Sequence, residues 1–189
     1  MFERGFKSWC ENVAIELRKE LKLDSAAPLP PTRVADHLGI GLWTPHDLEG
    51  LSRDALAVLL GEENDSWSAI TVAHSGRKAI VYNPRHSAAR RASDVMHELA
   101  HVIIGHQPER MIVSSNNDFA LRTYDKKQED EAIWLSGSLL LPRGALLEIV
   151  EAGVALPAAA NQFGVSLDLL EYRINITAVR LQLRRRRRR

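Results

Sequence analysis

Two histidines four residues apart enclose a glutamate in the string His97-Glu98-Leu99-Ala100-His101. On an α-helix, residues i and i+4 project from one face, so both imidazoles can converge on a single metal ion. Two ligands are thereby pre-organised. Glu98 follows the first of them directly, where its carboxylate reaches water on the metal instead of the metal itself. Zinc suits such a set: it lowers the pKa of water toward about 7, and the adjoining carboxylate takes the proton as hydroxide attacks a carbonyl. The chemistry implied is amide hydrolysis, with His97 and His101 as metal ligands and Glu98 as the catalytic base. A surface helix with two unrelated histidines is the competing reading, and the acidic helix downstream argues against it.

A zinc centre of this kind needs a third protein ligand and an open position. The extended pattern HExxHxxGxxH requires Gly at 104 and His at 107, where the chain has Ile104 and Gln107, so Gly105 and His106 are each displaced by one. A cysteine ligand is excluded as well, because Cys10 lies far from the motif and is the single cysteine. What remains is an acid on another helix, and Glu129, Asp130 and Glu131 stand together in Gln-Glu-Asp-Glu-Ala-Ile-Trp-Leu. Positions 129 and 131 are about 200° apart on a helix, so only one can face the ion. Glu131 shares a face with Leu135 and Leu139, while Glu129 aligns with Ile133 and Leu140, and spacing leaves the choice open. For the oxyanion, Tyr124, His106 and His86 are candidates by type.

These residues must be carried by a scaffold, and the periodicity outlines one. Residues 3–22 read as an amphipathic helix ended by the proline-rich connector 26–31. A short helix over 32–38, closed by Gly39, leads to a short strand at 40–43. Runs 67–73 and 78–82 are β-rich and separated by His74-Ser75-Gly76-Arg77, which reads as a hairpin. The motif helix is expected over 87–104 with Gly105 to stop it, then an exposed loop region over 107–124, then the acidic helix over 126–141 before Pro142. Residues 143–183 read as three short helices.

Of 189 residues 45% are apolar and 26% charged, the composition of one folded domain with a packed core. The net charge of +1 conceals an asymmetry: without the run Arg184–Arg189 the chain carries 19 basic against 24 acidic residues. That run reads as a disordered, solvated tail able to touch a polyanion. The N-terminus lacks the uninterrupted apolar stretch of a signal peptide, and no run approaches the ~20 apolar residues of a membrane helix. The expectation is a cytoplasmic protein.

Several stretches together resemble the ImmA/IrrE metallopeptidases of bacteria and their mobile elements. They are Ile80–Asn83 (IVYN), Arg90-Arg91, Asp94–His106 (DVMHELAHVIIGH) and Glu129–Arg143 (EDEAIWLSGSLLLPR), about the middle third of the chain. Ser93–Met96 departs from the family's usual approach to the motif without touching the ligands. The resemblance implies that the glutamate directly before the alanine, Glu131, is the third zinc ligand. It implies an α+β, gluzincin-like fold with a small antiparallel sheet, a metallopeptidase domain over 1–183 with its core at 67–142, and a substrate that is a helix-turn-helix repressor. Residues 158–176 have the cadence of a helix-turn-helix, but Asp168, Glu171 and Arg173 make a poor DNA-reading surface, so packing against the core is favoured. Two other classes stay open: a DNA-binding regulator with the zinc fold as scaffold, and a toxin–antitoxin or phage-associated protein that binds a partner without cutting it.

Overall fold

The computed structural model describes residues 2–48, 50–61, 66–74, 77–106 and 125–186. Helix α1 (Phe6–Glu20) turns Cys10, Ala14, Leu17 and Arg18 inward, the i, i+4, i+7, i+8 stripe of a surface helix. Arg18 is fully buried, yet its guanidinium donates to three carbonyls, those of Ala14, Ala27 and Leu139. Burial of the charge lowers its pKa to about 10. Helix α2 (Pro31–His37) begins with proline at its first position, where the missing N–H has no partner to lose.

Strands β1 (Gly41–Trp43), β2 (Ala69–His74) and β3 (Arg77–Tyr82) form one sheet in the order β1-β3-β2. The hairpin of β2 and β3 is antiparallel, as two β-rich runs joined by a short turn predict, but β1 pairs with β3 in parallel. The small sheet is therefore mixed where an antiparallel one was expected. Parallel partners need a long connection, and the chain between β1 and β3 supplies one through helix α3 (Arg53–Leu59) and β2. Central β3 buries Ala79, Ile80 and Val81, while among the described residues β2 lies at one edge of the sheet. Helix α3 was not foreseen; it is capped by Ser52, whose hydroxyl accepts from the Ala55 N–H, and it buries no residue.

Helix α4 (Ala88–Ile104) starts at the Ser87 cap and packs on both the sheet and helix α5 (Lys126–Leu140). The expected loop over 107–124 lies outside the described residues. Beyond Pro142, four helices follow where three were expected: α6 (Arg143–Glu151), α7 (Leu156–Phe163), α8 (Leu167–Ile176) and α9 (Val179–Arg186). The unforeseen break separates α8 from α9 at Ala178, which adopts φ 52° with no glycine or proline to mark the spot. Arg184–Arg186, the first half of the arginine run, form the end of α9, in which Val179 and Leu183 are buried. The other half lies outside the described residues.

The helical end is fastened to the site's own helix. Arg173 of α8 is 1% exposed and donates to Glu11 of α1, to the Ser138 hydroxyl and to the Leu141 carbonyl. Glu11 also accepts from the Ser138 hydroxyl and the Arg143 N–H. One carboxylate thus ties together α1, α5, α6 and α8. Among the described residues no single helix is long and apolar enough to cross a membrane.

Candidate active site

Helix α4 presents His97 and His101 one turn apart, with their Nε2 atoms 3.1 Å from each other. Across from them stands Glu129 in the first turn of α5, whose Oε2 is 3.1 Å from His97 Nε2 and whose Oε1 is 3.2 Å from His101 Nε2. These three donors are the group among the described residues able to hold a metal ion. Donors held tetrahedrally about 2.0–2.1 Å from one ion are separated by roughly 3.3 Å, which is close to the spacing here. Two imidazole nitrogens and a carboxylate oxygen are also a donor set that zinc accepts. The residues present fit the ion.

Glu131, assigned to the metal by the resemblance, is not brought to this cluster. Its Oε2 lies 3.1 Å from His106 Nε2, and its Oε1 lies 3.7 Å from Lys127 Nζ. The reason is helical geometry: Glu131 falls on the buried side of α5, while Glu129 falls on the stripe it shares with Ile133, Gly137 and Leu140. Ile133, Gly137 and Leu140 of that stripe floor a cavity of about 240 Å³ that opens beside His97 between α4, α5 and α8, with Asp94, Leu169 and Tyr172 among its walls.

Glu98 is buried and stands apart from the three donors. Its Oε2 accepts from the Thr71 N–H at 2.9 Å and the Thr71 hydroxyl at 2.6 Å, so the edge strand β2 fixes the carboxylate. Nothing in the sequence pointed to Thr71, because a threonine in a strand is ordinary and the contact spans 27 residues. Of the oxyanion candidates, His86 is bound through Nδ1 to Asp94 Oδ2 at 2.8 Å. His106 lies against the Nδ1 side of His101, away from the donor cluster. Tyr124 lies outside the described residues.

Comparison with known proteins adds two findings to this geometry. A family model, Peptidase_M78, described as the IrrE N-terminal-like domain, matches residues 56–175. A solved structure of a Mycobacterium tuberculosis transcriptional regulator resembles the chain in fold, with 15% identity and a TM-score of 0.53 over 88% of this chain and 46% of that one. The chain therefore spans about half the length of that regulator, and the likeness is one of fold. No curated protein matches the sequence.

Proposed function

Since the chain belongs to the Peptidase_M78 family of IrrE N-terminal-like domains, a family of metallopeptidase type, we propose that it is a cytoplasmic, zinc-dependent endopeptidase that cuts a helix-turn-helix repressor. The observation that carries the reading is the convergence of His97, His101 and Glu129, with Glu98 adjoining the first of them and held from β2. Held by these three donors, zinc would supply Lewis acidity toward a peptide carbonyl and would lower the pKa of water there toward neutral. Glu98 takes that proton and returns it to the leaving amine. Thr71 holds Glu98 through one oxygen and keeps the carboxylate oriented for both transfers. The cavity beside His97 receives a substrate side chain.

The choice of substrate is supported by the family resemblance and by the economy of the site. A cavity of this size accepts one side chain, so selectivity comes from docking of a whole partner. The test mixes the purified protein, zinc and candidate repressors, with casein as a control. One or very few cuts in a cognate repressor are expected, with negligible cutting of casein. Glu98→Gln should retain the metal and lose at least about 100-fold in rate, whereas His97→Ala and Glu129→Gln should lose metal. Equal cutting of unrelated unfolded proteins would make it a general peptidase, and a tight complex that is never cut would favour the binding-module class.

A further inference from the structure

The second acid of the Glu-x-Glu pair and the histidine after the motif helix have no part in the chemistry so far. We propose that His106 and Glu131 are positioning residues that fix the proton and the ring orientation of His101. The inference rests on the reading of His101 as a metal ligand through Nε2.

The relay begins with the helix end. Gly105 takes φ 85°, the left-handed conformation that glycine adopts without strain, and the chain folds back so that the His106 N–H donates to the His101 carbonyl at 2.9 Å. This turn lays the His106 ring against the His101 ring, with centroids 5.0 Å apart and planes inclined by 63°. Their Nδ1 atoms are 2.9 Å apart, a distance at which one must donate and the other accept. His106 Nε2 then lies 3.1 Å from Glu131 Oε2.

Counting protons gives the direction. An imidazole that offers the Nε2 lone pair to a metal carries its proton on Nδ1, so His101 donates and His106 Nδ1 accepts. Neutral His106 then has its proton on Nε2 and donates it to the Glu131 carboxylate. Each contact has one proton and one lone pair. The reverse order would turn the His106 Nε2 lone pair toward a carboxylate and leave His101 with its proton on the atom that faces the metal. Glu131 is itself held by Lys127, whose Nζ is also 2.9 Å from Glu3. The two glutamates of α5 thus serve opposite sides of His101: Glu129 the Nε2 side, Glu131 the Nδ1 side through His106.

Partners that orient a metal-bound histidine alter metal affinity by about 10- to 100-fold when removed. Zinc dissociation constants from competition with a chelator should therefore rise by that factor in His106→Leu and Glu131→Ala. His106→Gln, which keeps an acceptor and a donor, should stay nearer to wild type. Ring-nitrogen NMR of the zinc-loaded wild-type protein should show protons on His101 Nδ1 and His106 Nε2, a signature that packing alone does not set. His106→Leu binding zinc within about threefold of wild type would overturn the inference, as would an NMR pattern with the proton on His106 Nδ1. Glu129→Gln is the separate control: zinc retained in that variant would sink the ligand set, while the wild-type ring protons still decide the relay.

Discussion

Cys10 lies on the inward face of α1 with no exposed surface, and burial followed by the Glu11 charge pushes its thiol up to about 12. The thiol therefore stays neutral in the folded protein, and alkylation at pH 8 should proceed only at the rate of unfolding. Rapid labelling of the native protein would show that α1 is not docked as described. The sign of the linkage follows from the raised value: the contribution to stability is complete below the unfolded thiol's pKa of 9.0 and is lost as pH rises toward 12. The site residues divide by how local their signals are. His97, Glu98 and His101 share one helical turn and are visible in five letters. Glu129 and Glu131 differ by two positions, and their apolar faces leave the choice between them open, so the preference for Glu131 came from the resemblance alone. The structure places Glu129 beside the two histidines and Glu131 against His106 instead. Thr71 and the role of His106 depend on contacts between elements, which no spacing encodes.

Helix α5 contains Gly137 where alanine would be the stronger helix former, and the structure shows why. A Cβ at this position would come within 2.9 Å of Arg173 Cδ. Arg173 has no freedom to withdraw, being held by Glu11, Ser138 and Leu141. Gly137→Ala sets a helix-propensity gain of about 1 kcal/mol against an overpacking cost of about 1–3 kcal/mol. The cost should win, lowering the thermal midpoint by up to roughly 8 °C. A raised midpoint would mean that Arg173 gives way. The elements with strong punctuation were readable: α4 between Ser87 and Gly105, α5 before Pro142, and the β2–β3 hairpin by its β-rich runs on either side of a short turn. Those that lacked it were not. Helix α3 buries nothing and so has no apolar stripe, the α8–α9 break is made by an alanine, and the parallel placement of β1 is a tertiary choice.

Charge is distributed over the whole molecule in a way that bears on nucleic acid. Helix α8, the second helix of the helix-turn-helix-like pair, turns Leu170, Arg173 and Ile174 inward and leaves Asp168 and Glu171 exposed. Binding to duplex DNA at 0.15 M salt should therefore be no tighter than about 10 µM and insensitive to sequence, and deletion of Arg184–Arg189 should abolish it. A nanomolar, sequence-specific complex in an anisotropy titration would restore the DNA-binding class. The edge position of β2 reaches beyond the single molecule as well. An open edge offers unpaired backbone groups to another copy of the chain, and proteins blunt such edges with charge. Here the Thr71 N–H and hydroxyl are both engaged by Glu98, so the acid of the site also interrupts a ladder that could run from one molecule to the next. Truncation to Glu98→Ala removes that stopper together with the base, and a clumping, inactive sample of it reports self-association as much as lost chemistry. Glu98→Gln keeps an oxygen for Thr71 and separates the two.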